Sequence, residues 1–168
     1  MTLSALPQPT RIPAPDRLSP RAQELLHLYA RGLSPKVISA QHGFSRREAR
    51  ELLQRASYDL KAAAPRAGAV MFHAVLLDQV PAPPQSRLYL TDQALVFVAD
   101  LVLGRTEHSM ANDRSTTQGA LDVLGKGVLR ELGATTYAHA VYLATPTLLA
   151  IPSADLTAAR SRVTTLRP

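Results

Sequence analysis

Three helix-start signals crowded between Ser19 and Ser45 constrain this chain more than any other feature. Ser19 precedes Pro20, Ser34 precedes Pro35, and Ser45 stands three residues before Glu48. A serine hydroxyl accepts a bond from one of the free N–H groups at a helix start. A proline at the first helical position has no N–H to leave unsatisfied. Serine with glutamate three residues on is a capping box, in which each side chain bonds the other residue's backbone. Gly32 and Gly43 then stop the first two helices. The chain from Leu18 to Leu60 is left with little choice but helix, turn, short helix, turn and third helix.

The apolar residues fit that punctuation. Ala22, Leu25, Leu26 and Tyr29 share one face of the first helix, and Val37, Ile38 and Ala40 are the inward set of the second. Ala49, Leu52, Leu53, Ala56 and Leu60 give the third a helical period. A fourth helix over Arg66–Leu77 buries Val70, Met71, Ala74 and Leu77. Composition points the same way. The chain is 46% apolar but 5% aromatic, without Trp, so its core is built from Leu, Val and Ala. The strand formers are thin, and the expected class is all-α. The absence of Cys excludes disulfide scaffolds, thiolate zinc sites and Cys nucleophiles. No apolar run reaches the roughly 18 residues of a membrane span. Met1–Arg17 reads as a Pro-rich arm rather than a secretory signal, so a cytoplasmic protein is expected.

The plan recurs at an offset of 72. Leu18-Ser19 matches Leu90-Thr91, Gly32 matches Gly104, Ser34 matches Thr106, Ile38 matches Met110 and Ser45 matches Thr117. Leu52 and Leu60 match Leu124 and Leu132. Only six of the 45 aligned positions are identical, so the argument rests on caps, helix stops and buried positions falling together. The expected architecture is two tandem four-helix helix-turn-helix modules joined by a Pro-rich linker. Residues 1–17 form the arm, 18–78 the first module, 79–89 the linker (with Gln79–Ser86, QVPAPPQS), 90–144 a degenerate second module and 145–168 a tail. The last helix of the second module is expected over about Thr136–Ala144, with a short helix possible in the tail over Ala154–Arg167.

These stretches resemble the LuxR/GerE-type DNA-binding domain of bacterial regulators. The family-like segments are LSPRAQELLHLYARGLSPKVIS (Leu18–Ser39), FSRREARELLQRASYDL (Phe44–Leu60), LTDQALVFVADLVLGRTEHSMA (Leu90–Ala111) and LRELGATTYAHAVYLA (Leu129–Ala144). The resemblance covers about two thirds of the chain. It implies a DNA-reading third helix and, through the fourth helix, a dimer contact. The family's basic residue in the recognition helix is kept at Arg50 but replaced by Asp122 in the second unit. Only 17 residues precede the first unit, so no receiver or small-molecule-binding domain is expected ahead of it.

The third helix of the first unit carries the chemistry. Arg46, Arg47, Arg50, Gln54, Ser57 and Lys61 fan over the side opposite its apolar face. Arginine bonds phosphates or reads guanine bidentately, and glutamine pairs with an adenine edge. Ser45 marks a helix N-terminus able to receive a phosphate. Lys36 and Lys61 complete the set of expected DNA contacts. Residues 18–77 hold nine Lys+Arg against four Asp+Glu, whereas 90–144 hold four against six. The second unit's candidates are Thr117, Gln118 and Lys126. Its third helix, with Gly119, Gly125, Gly127, Asp122 and an outward Leu129, reads more as a packing surface. Tyr29, Tyr58 and Phe97 read as core or half-buried residues, and His42 as a polar turn residue or a phosphate contact.

The expected function is a sequence-specific double-stranded-DNA-binding transcriptional regulator. The alternative is a helix-turn-helix adaptor that contacts RNA polymerase or another regulator. No enzyme, cofactor or metal role is expected. GALDVLGKG (Gly119–Gly127) misses phosphate-loop spacing by one residue, and the five histidines lack ligand spacing. A homodimer through Tyr137, Val141 and Tyr142 is expected. An internal pseudo-dimer, with Val70–Leu77 packed on the second unit, is the other arrangement.

Overall fold

The computed structural model describes residues 18–84 and 88–165, and among these all regular structure is α-helical. The Pro-rich arm 1–17 and residues 85–87 of the linker lie outside the described residues. The first half contains α1 (Pro20–Ala30), α2 (Pro35–His42), α3 (Arg46–Asp59) and α4 (Ala67–Leu76). The second contains α5 (Asp92–Val102), α6 (Glu107–Asp113), α7 (Gln118–Leu132), α8 (Tyr137–Ala150) and α9 (Ser153–Thr165).

Local chemistry sets the helix starts. Ser19, Ser34 and Ser45 accept from the backbone N–H of Ala22, Val37 and Glu48, and Thr91, Thr106 and Thr117 accept from Ala94, Ser109 and Ala120. All six caps therefore bond the third helical residue, and the two sets stand 72 residues apart. The Ser45–Glu48 capping box is closed in both directions.

Packing joins the halves. α4 lies along α8 in the most extensive helix–helix contact of the molecule. Around that central pair the contacts are reciprocal, α1 against α8 and α4 against α5. Phe72 of α4 packs on the second core, while Ala138 and Tyr142 of α8 pack on the first. The turns after α1 and α5 meet the opposite half at matched glycines. Gly32 and Gly104 have φ of 80° and 68°, a region favouring glycine. A Cβ at Gly32 would overlap Thr135 and His139, and one at Gly104 would overlap Ala64.

This arrangement covers part of the surface expected to hold a second copy. Val141 is fully buried against α4, so close that a Cβ added at Gly68 would stand 3.2 Å from its Cγ2, and Tyr142 packs on the first core. Tyr137 leans on Phe97 at 5.5 Å between ring centres. Physically, Ala69, Val70 and Ala74 on α4 and Ala140, Val141 and Ala144 on α8 are small enough to let two helices approach closely, and all are buried.

Several sequence expectations need correction. α8 does not stop at Ala144 but runs through Pro146 to Ala150. An interior proline costs a helix about 3 kcal/mol through its missing N–H and ring clash. Here Ala144, Thr145 and Thr147 are buried, and Thr147 Oγ1 accepts from Leu88 N at 2.8 Å and donates to Leu88 O. Tertiary contacts outweigh the local penalty. Residues 145–165 are therefore not a separate tail, and 166–168 lie outside the described residues. α9 packs on α5, burying Ala159, and Arg162 grips Asp92 at 2.5 Å. The linker begins inside the fold, since Val80 is buried and Gln79 accepts from the Leu18 N–H. In α2 only Ile38 is buried, Val37 is half-buried, and Ala40, expected on the inward set, is exposed.

Candidate nucleic-acid interface

Helix α3 is seated by its own charges. Arg21 of α1 donates through Nε to Glu48 at 3.0 Å and through NH1 to Glu24 at 2.8 Å. Its guanidinium also stacks 3.7 Å over the Phe44 ring. Its hydrogen bonds to the Glu48 carboxylate, then to that of Glu24, hold the Arg21 pKa above the usual arginine value. Glu48 thus closes the cap of α3 and ties that helix to α1, while Phe44, 1% exposed, anchors the preceding turn in the core. Between α2 and α3 lies a cleft of about 550 Å³, with Tyr29 and Phe44 beneath and Lys36, Ser45, Arg46 and Arg50 at its edge. Burial pushes the Tyr29 hydroxyl pKa up, so it stays a neutral partner there.

At about 100° per residue the exposed arc of α3 divides into two flanks and a crest. Arg46 and Arg50 form one flank and Arg55 the other, all exposed. Arg47, Glu51, Gln54 and Tyr58 stand between them, also exposed. No ion-pair partner among the described residues meets Lys36, Arg46, Arg50, Arg55 or Lys61. Arg47 does have one, Glu51 at 2.7 Å, with the two side chains 87% and 60% exposed. Such a surface pair contributes at most about 1 kcal/mol and exchanges readily for another anion.

The expected contact residues are only partly brought together. Ser45, Arg46, Arg50 and Lys36 gather at the cleft, with Arg47 and Gln54 on the adjoining crest. Lys61 lies in the turn after α3 with φ 53°, about 20 Å along the axis from Ser45. Ser57 is not outward. It is buried, its hydroxyl donates to Gln54 O at 2.8 Å, and the turn after α3 folds over it through Ala62 N to Ser57 O. Tyr58, expected to be core or half-buried, is 85% exposed, because Leu60 and Ala56 occupy the inward positions of that turn. Arg55 and Glu51, not among the expected contacts, share this exposed arc. The apolar stripe of α3 predicts their exposure, since both lie opposite Leu52, Leu53 and Ala56.

The second unit's residues make a different surface. Thr117 caps α7 and Gln118 is exposed, but Lys126 is paired to Asp122 at 2.7 Å. Leu129 is not outward as expected. It is half-buried on the second core, and Val123 is the exposed apolar residue at 66%. Gly125 has a packing role, since a Cβ there would overlap the Tyr137 hydroxyl, whereas Gly119 and Gly127 face open space. The Gly119–Gly127 segment is wound into α7 and presents no phosphate loop.

Away from this face, Asp100 is 2% exposed at the position matching Leu28 of the first half. Arg160 reaches it at 2.6 Å, Arg114 at 2.9 Å and Arg105 at 3.7 Å. Burial lowers the Arg114 pKa against the raising effect of Asp100. This cluster joins α5, α9 and the turn after α6, and no described candidate contact belongs to it. No protein-family model matches the chain, and no curated protein or solved structure matches it either.

Proposed function

We propose that the chain is a sequence-specific double-stranded-DNA-binding transcriptional regulator, built of two tandem LuxR/GerE-like helix-turn-helix modules, that lays α3 in the major groove and acts in the cytoplasm. The observation that carries this reading is the cross-section of α3: unpaired arginines on both flanks of an exposed, polar crest. A helix in the major groove runs between two phosphate backbones, so flank cations meet phosphates while the crest meets base edges. Arg47 and Gln54 suit guanine and adenine edges, and Glu51 suits the cytosine amino group. The Ser45 end adds N–H groups and a partial positive charge for a phosphate.

Arg46→Ala with Arg50→Ala tests the reading. A duplex selected from a random pool is titrated by fluorescence anisotropy, with circular dichroism checking the fold. Loss of two charge-assisted contacts weakens binding roughly 10- to 100-fold. Unchanged affinity in a folded double variant refutes α3 as the reader, as does tighter binding of the corresponding single strand. A second reading, an adaptor that contacts RNA polymerase or another regulator, draws on α7. There Val123 is 66% exposed beside the neutralised Asp122–Lys126 pair. An apolar patch with paired charges suits a protein surface better than a phosphate backbone.

A further inference from the structure

We infer that the reader is single-headed: one chain engages one short, non-palindromic block of duplex through α3, and α7 takes no phosphate. This rests on the DNA reading above and concerns the form of its target. Two-fold arrangements usually bring two equal heads to inverted half-sites. Here the reciprocal packing lies within one chain, because α4 and α8 cover each other and the matched Gly32 and Gly104 turns each meet the opposite half. The two third helices are thus placed as a pair, yet they are chemically unequal.

The inequality falls at the phosphate-facing positions. Seventy-two residues after Arg46, Arg50 and Arg55 stand Gln118, Asp122 and Gly127. Where the first half has the exposed Lys36, the second has His108. Neither flank of α7 carries a cation. Its two basic residues, Lys126 and Arg130, lie on the crest. The first is bound to Asp122 at 2.7 Å and the second reaches the Lys126 carbonyl at 3.5 Å. A head without cations at its flanks releases no counterions on approaching a duplex, and Asp122 repels a phosphate placed there.

Salt dependence gives the inference a magnitude. Each neutralised phosphate contributes about −0.9 to the slope of log affinity against log salt. Lys36, Arg46, Arg50 and Arg55 together give a slope near −3.6, so raising salt from about 50 to 200 mM weakens binding roughly 150-fold. Two equal heads would weaken it by about 20,000-fold.

The test uses the full chain and a duplex pool with a 30-base-pair random core. The selected motif is sequenced. Sedimentation on a labelled duplex carrying it then gives the number of chains bound, and titration across salt gives the slope. The expected result is one asymmetric block, one 18.2 kDa chain per duplex and a slope near −3.6. Gln118→Ala with Lys126→Ala should leave affinity within twofold. An inverted-repeat motif, two chains per duplex, a slope near −7, or a tenfold loss in that double variant overturns the single-headed form while leaving DNA binding standing. If no duplex is retained from the pool, the DNA reading itself fails, and this inference with it.

Discussion

Replacing Asp100 with Ala should remove a large share of the chain's stability, for a reason visible at three arginines. The carboxylate is 2% exposed and receives Arg160 at 2.6 Å and Arg114 at 2.9 Å, with Arg105 at 3.7 Å. Without it, Arg105 and Arg160, about one third exposed, can turn toward water, and Arg105 keeps Asp113. Arg114 cannot follow. Its side chain is 14% exposed, and its second terminal nitrogen is already buried without a hydrogen-bond partner. Stranding one buried cation costs about 3–5 kcal/mol, and relaxation of the other two arginines holds the expected loss near the lower bound, about 3 kcal/mol. For a chain of this size that lowers Tm by about 6–12 °C. Urea denaturation followed by circular dichroism reads the change, with an unaltered slope showing that the same surface unfolds. Asp100→Leu combined with Arg114→Leu should recover most of the loss, because an apolar replacement of a buried pair is often close to neutral. A loss under about 1 kcal/mol in Asp100→Ala, or a double variant no better than the single, refutes the reasoning.

Three further outcomes follow from particular contacts. Gly104→Val should destabilise by more than about 2 kcal/mol, since it adds left-handed strain to overlap with Ala64, whereas Gly119→Ala and Gly127→Ala, which point into open space, should each stabilise α7 by about 0.5–1 kcal/mol in thermal melts. A Gly104→Val chain as stable as the parent would show that the gap between the halves is misread, and a loss in either alanine variant that the outer face of α7 is not open. Stability should also fall in acid through His139, which sits between the halves beside Gly32 and Thr135. Burial lowers its pKa, so its contribution is complete above the unfolded value near 6.5 and is lost as pH drops through the folded value. Urea midpoints between pH 7.5 and pH 5 should show a smaller drop in His139→Asn than in the parent chain, and an equal drop excludes this group as the cause.

The helices and their starts were legible because capping is local. A hydroxyl three residues from an N–H needs no distant partner, so Ser19, Ser34, Ser45 and the three threonines 72 residues later place six helix starts by themselves. Periodicity likewise marked the inward stripe of α3, and with it the exposed arginines. What failed lay where distant residues meet. Pro146 reads as a helix stop until Leu88 and α5 pack on the turn around it. Leu129 and Ser57 read as outward until neighbouring segments fold over them. Asp100 carried no sign of burial, because its arginines come from residues 105, 114 and 160. What the apolar fourth helix packs on was likewise open in the sequence. Only the tertiary structure decided that α4 covers α8 within one chain, through small side chains whose complementary fit no linear pattern records.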